Sequence, residues 1–222
     1  MRKEEKQIPV NHFLLGANLS VPENPRALVI FSHGSGSSRF SPRNNYVANL
    51  LNEHGIATVL ADLLTQQEDM DYDNRFNISL LSKRLVIVTG WALQQKILMH
   101  LPVGYFGAST GAASALSAAV LFKDQILAVV SRGGRPDLAK NILSQVQSAT
   151  LLIVGSKDTP VVQLNQLAYD LLLCKKHMQV VQGATHLFEE RGKLEEVSQL
   201  ALDWFTENLI QHKPIKEKQE NY

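Results

Sequence analysis

Gly107-Ala108-Ser109-Thr110-Gly111 follows the apolar run Val103–Phe106 and opens a stretch of small helix formers, Ala112–Val120. The pattern predicts a strand, a sharp turn and a helix, with a serine at the apex. A serine there is held in a strained backbone that only uncrowded neighbours permit, and glycines two before and two after it remove the clashing side chains. The hydroxyl then stands exposed beside a backbone N–H at a helix start. This is the G-x-S-x-G nucleophile elbow, and it points to acyl transfer by a serine. A Gly/Ser-rich turn before a helix can also be mere packing, so the reading depends on partners elsewhere in the chain.

Working outward, apolar strands alternate with amphipathic helices. Strands are expected at Ala27–Phe31, Ala57–Ala61, Val103–Phe106, Ile126–Val130, Leu151–Val154 and Met178–Val181. Helices are expected at Asn44–His54 (stopped by Gly55), Ile78–Leu93, Thr159 to about Lys175, and Lys193 to about Ile210. Continuous apolar strands between such helices predict an α/β fold, a mostly parallel sheet covered on both faces. Ile8–Val21 alternates more loosely around Gly16 and predicts an antiparallel N-terminal edge pair or hairpin. Leu63–Asn77 is too polar for an apolar lid, so no large lid is expected. Residues 1–212 read as one domain and 213–222, with Pro214, as a polar C-terminal tail.

In such sheets ligands gather at the carboxyl ends of the strands. After the first core strand comes Ser32-His33-Gly34-Ser35-Gly36-Ser37-Ser38. Its flexible backbone predicts an oxyanion hole built from the N–H groups of Ser35 and Thr110, with Gly36 as second choice for the loop donor. A phosphate-binding loop is the rival reading; it needs a third glycine where Arg39 stands, and no G-K-[ST] follows. His33 is read as a brace for the loop. Asp158 follows Leu151–Val154, and His186 lies on Gly183–Phe188 after the last strand. Taken singly, Asp158 could be a helix-start charge beside Thr159 and His186 a loop histidine with a satisfied ring. Together with Ser109 they form a candidate catalytic set at successive strand ends.

The chain order Ser109, Asp158, His186 is that of the α/β-hydrolases. On His33–Gly36, Gly107–Gly111, Gly155–Asp158 and Gly183–His186, the sequence resembles the dienelactone hydrolase-like branch of that superfamily. Ser32–Asn44 (SHGSGSSRFSPRN) and Ser131–Leu138 (SRGGRPDL) resemble a small bacterial subgroup of it. Some members of that subgroup are fused to a phosphoribosyltransferase; this sequence is expected to hold the hydrolase unit alone. Dienelactone hydrolases proper use cysteine at the elbow. Ser109 stands there instead, which favours a serine hydrolase acting on a small ester, lactone or thioester. The alternative is a non-catalytic ligand-binding protein on the same fold.

For specificity, Arg132 and Arg135 follow the strand after the elbow, where a guanidinium could grip a carboxylate or phosphate on an anionic acyl substrate. The competing reading is a surface arginine paired with Asp137. Arg39 and Arg43, near the oxyanion loop, are lesser candidates. The 22 basic and 21 acidic residues give a net charge of +1, and neither nucleic acid nor membrane is expected as a partner. The charged start lacks a secretory pattern, and the single cysteine, Cys174 on an apolar helical run, fits a reducing cytoplasm. His12, His54, His100, His177 and His212 lack metal-ligand spacing, so no metal or cofactor is expected. Trp91 and Trp204 are expected in the core, and oligomeric state is not legible.

Overall fold

The structure, a computed structural model, describes residues 1–211. The expected tail 213–222 and His212 lie outside the described residues. In chain order the strands are β1 (Arg2–Val10), β2 (Phe13–Val21), β3 (Ala27–Ser32), β4 (Ile56–Ala61), β5 (Val103–Ala108), β6 (Ile126–Arg132), β7 (Ala149–Gly155) and β8 (Lys176–Val181). The α-helices are α1 (Pro42–Glu53), α2 (Gln66–Asp69), α3 (Ile78–Leu93), α4 (Thr110–Phe122), α5 (Thr159–Leu171) and α6 (Lys193–Phe205).

The strands form one eight-stranded sheet in the order β1-β2-β4-β3-β5-β6-β7-β8. The β1–β2 and β2–β4 pairings are antiparallel and the others parallel. Every residue of β3, β4, β5 and β7 is buried, as the unbroken apolar runs require of strands covered on both faces. One face packs on Leu85 and Val88 of α3, Leu116 of α4 and Ala168 of α5. The other packs on Val47 and Leu51 of α1 and Val197, Trp204 and Phe205 of α6. Trp204 also donates from Nε1 to the Ala149 carbonyl at 3.1 Å, and Trp91 lies partly buried against the first face. This is the α/β-hydrolase architecture without a lid. Leu63–Asn77 instead carries α2, held by a capping box between Thr65 and Glu68, and a 3₁₀ turn at Tyr72–Phe76.

Several boundaries differ from the sequence reading. The N-terminal hairpin turns at Asn11, with φ 49°, and Gly16 lies inside β2 opposite Gln7. The charged start, Arg2–Lys6, is itself part of the edge strand, where its side chains remain accessible. Helix α1 starts at Pro42, because Ser41 Oγ accepts the Asn44 N–H at 3.3 Å and fixes the cap earlier. Helix α5 stops at Leu171: Lys176 Nζ takes the carbonyls of Tyr169 at 2.6 Å and Leu172 at 2.7 Å, freeing the chain to extend into β8. Cys174 therefore sits in a connecting loop rather than on a helix; it is half-buried, and that burial raises its thiol above the ordinary range.

Candidate active site

Ser109 joins β5 to α4 with φ 52° and ψ −123°, a conformation that costs a non-glycine residue about 1–3 kcal/mol. Close packing dictates the flanking glycines. A β-carbon at Gly107 would stand 2.5 Å from Ala112 Cα, and one at Gly111 would stand 2.2 Å from the Ser32 carbonyl oxygen. The Ser109 N–H donates to the Arg132 carbonyl at 3.1 Å, tying the turn to the end of β6. Among the described residues, no acceptor takes the Thr110 N–H at the start of α4.

The Ser32–Ser38 loop lies against this turn: a β-carbon at Gly34 would come within 3.0 Å of Ser109 Cβ. Its Ser35 N–H donates to Thr110 Oγ1 at 2.9 Å, so this expected oxyanion donor is already engaged. The Gly36 N–H has no acceptor among the described residues, and Gly36 has φ +65°, which suits glycine. His33 braces the loop as its sequence position suggested. Its Nδ1–H donates to the Gly34 carbonyl at 3.0 Å, and Nε2 accepts the Leu63 N–H at 3.1 Å. Burial holds the ring below its ordinary range, and so neutral.

Asp158 occupies the N-cap position of α5, yet its side chain makes no cap bond. The carboxylate instead accepts from His186 Nδ1 at 2.6 Å, so its hydrogen bond goes to the imidazole and not to the helix start. The two loops are laced together: Lys157 N–H donates to the Ala184 carbonyl at 2.9 Å, and Gly183 N–H to Ser156 Oγ at 2.8 Å. A β-carbon at Gly155 would be 2.4 Å from the Ala184 carbonyl oxygen, so the close approach needs glycine. A β-carbon at Gly133 would stand 3.5 Å from the His186 ring, and Gly133 directly follows Arg132, whose carbonyl holds Ser109. Serine turn and imidazole thus flank one strand end. Among the described residues no hydrogen bond joins Ser109 Oγ to the ring; such contacts commonly tighten only when substrate binds.

No protein-family model matches the chain. A crystal structure of dienelactone hydrolase from Anabaena variabilis ATCC 29413 is 47% identical, covers 94% of this chain and 98% of its own, and superposes with a TM-score of 0.90. The chain belongs to the dienelactone hydrolase-like family of α/β-hydrolases. Est1E from Butyrivibrio proteoclasticus shares the fold at 17% identity, with 92% of this chain and 98% of its own covered and a TM-score of 0.76. A Mycobacterium tuberculosis protein (strains CDC 1551 / Oshkosh and ATCC 25618 / H37Rv) is 53% identical over 209 residues, 94% of this chain and 47% of its own length. It carries the provisional name phosphoribosyl transferase, and the chain spans about half of it.

The hydrolase's arginines divide sharply. Arg135 forms a forked pair with Asp137, both bonds 2.9 Å, so the surface pairing belongs to this residue. Arg39 pairs with Asp62 and lines a cavity of about 850 Å³ with Leu14, Gly16, His33 and Phe40; Ser109 is not on its wall. Arg132 is only 7% exposed, and among the described residues the one hydrogen bond of its guanidinium is a 3.4 Å contact to Asn44 Oδ1 on α1. Burial, reinforced by the neighbouring Arg43 charge, lowers its guanidinium to about 10. Sequence reasoning missed Arg75, whose Nη1 lies 3.6 Å from where a β-carbon at Gly36 would be. Asp69 holds it there through a forked pair of 2.9 and 2.8 Å. A conspicuous signal for that pair was absent, since the short helical turns that hold Asp69 and Arg75 lie in a polar stretch with no hydrophobic periodicity.

No helix among the described residues is long and apolar enough to cross a membrane.

Proposed function

We propose that the chain is a serine hydrolase that cleaves a small ester, lactone or thioester through an acyl-enzyme on Ser109. The observation that carries this reading is the 2.6 Å Asp158–His186 contact beside the strained serine turn. Asp158 holds Nδ1 protonated, which leaves Nε2 as the basic nitrogen. Nε2 takes the Ser109 proton as Oγ attacks the carbonyl carbon. The negative charge on the tetrahedral oxygen meets the Thr110 N–H and the Gly36 N–H, two donors without acceptors of their own. His186 then returns the proton to the leaving oxygen or sulfur. Water, activated by the same ring, frees the acid and restores the serine.

The Mycobacterium tuberculosis relative, of which this chain spans about half, carries a phosphoribosyl name, and Arg132 is a buried guanidinium without a carboxylate partner among the described residues. Both favour an anionic substrate. A fluorophosphonate probe tests the chemistry directly. Covalent labelling at Ser109, lost in Ser109→Ala together with turnover of an activated ester, is the expected result. An unlabelled wild-type chain would instead favour a non-catalytic ligand-binding role.

A further inference from the structure

Two arginines are buried among the described residues, Arg84 at 8% and Arg132 at 7% exposure. Arg84 bonds Glu68 at 2.5 Å and lies over the Phe13 ring at 4.4 Å. Among the described residues Arg132 has no carboxylate partner; its Nε and Nη1 lack an acceptor there, and Nη2 reaches only the Asn44 amide oxygen. A buried guanidinium without an anion is costly to hold. Nor is Arg132 alone. Arg43, in the first turn of α1, is close enough to affect its ionisation, and the Nε of Arg43 is unpaired as well. Among the described residues the one carboxylate bonded to either arginine is Glu189, which accepts from Arg43 Nη1 at 2.7 Å and is itself exposed.

We propose that Arg132, Arg43 and the first turn of α1 form a subsite for a phosphate monoester group on the substrate, occupied by displacing Glu189 from Arg43. The assignment rests on the hydrolase reading above and names its substrate class. Position supports it: Arg132 is in register with Ala108, one strand away from the residue before the nucleophile. Stoichiometry favours phosphate over carboxylate. Arg132 Nε, Arg132 Nη1 and Arg43 Nε are three buried donors without acceptors among the described residues. A phosphate monoester carries three strong acceptor oxygens, whereas a carboxylate carries two. The N-terminus of the 12-residue α1 adds a favourable potential for a dianion. Glu189 lies three residues beyond His186, so the exchange also releases a tether on the histidine loop.

Inorganic phosphate, titrated calorimetrically into the full Ser109→Ala chain, tests the subsite without any turnover. Measurable binding is expected, with acetate weaker at equal ionic strength. Arg132→Met should weaken phosphate about 10- to 100-fold. Its melting temperature should hold or rise, because an unpaired buried charge has gone. Glu189→Gln should tighten phosphate roughly 2- to 5-fold by removing the competitor. Absent phosphate binding, acetate binding as tight as phosphate, or equal phosphate affinity in wild type and Arg132→Met would each overturn the proposal. If Arg132→Met does not fold, an unchanged affinity in Glu189→Gln overturns it. Failure of the serine chemistry would show separately, as absent fluorophosphonate labelling.

Discussion

Asp158 and His186, on one side of the β6 terminus, satisfy each other at 2.6 Å, while on the α1 side Arg43 has one exposed carboxylate, Glu189, and Arg132 has none among the described residues. The groups that must pass a proton come already paired and aligned, which spares the reaction the cost of organising them. The buried cations are left short of acceptors, an arrangement that gains most when an outside anion arrives. On the proposed function, pairing within the chain marks the proton machinery, and missing partners mark the side proposed to take a ligand.

The largest effect should come from breaking the paired side. Asp158→Asn keeps the shape but upsets the ring's tautomer, and kcat should fall about 10⁴-fold in a steady-state ester assay while circular dichroism is unchanged. Activity within tenfold of wild type would erase the contrast between the two sides. The serine turn between them can be tested next. Gly111→Ala drives a β-carbon to 2.2 Å from the Ser32 carbonyl and should cost about 3 kcal/mol in urea unfolding. Gly183→Ala, with φ +76° and nothing within 4 Å, should cost only about 1 kcal/mol.

Acid can turn a paired group into an unpaired one. His33 is neutral with both ring nitrogens bonded, and protonating Nε2 would set it against the Leu63 N–H. Its folded pKa lies below the ordinary 6.5, so the unfolded chain takes up the proton first as pH falls. Stability from this group is complete above about pH 6.5 and drains below it, by at most about 1.4 kcal/mol per pH unit, until the folded pKa is reached. His33→Asn should flatten that slope in urea midpoints measured from pH 8 to 5. The smallest effect belongs to Arg135→Ala. Its ion pair is partly exposed, and stability should move by less than about 1 kcal/mol.

The sheet and the strand-end turns that carry Ser109, Asp158 and His186 were legible because each depends on local pattern. Apolar runs announce buried strands, and the glycines around Ser109, Asp158 and His186 announce strand ends that need close backbone approach. Strand β1 was not legible: Arg2–Lys6 has the composition of a solvated tail, and only pairing with β2 makes it a strand. The engagement of the Ser35 N–H was hidden because its acceptor, Thr110 Oγ1, lies 75 positions away. For Arg132 two readings stood open, a guanidinium that grips an anion and a surface arginine paired with Asp137. The second does not hold, because as the last residue of a buried strand Arg132 stays inside, and a short sequence window carries no sign of that.

That first strand has a bearing on colloidal behaviour. An open sheet margin offers bare peptide groups to any passing polypeptide, and unguarded margins seed fibrils. Here Lys3 and Glu5 project into solvent and Glu4 bridges toward Arg2 and Lys6, so an approaching foreign strand would have to strip water from a row of ions before docking. The same residues that disguised the strand thus serve as its gatekeepers, protecting a polypeptide that is close to electrically neutral against self-association.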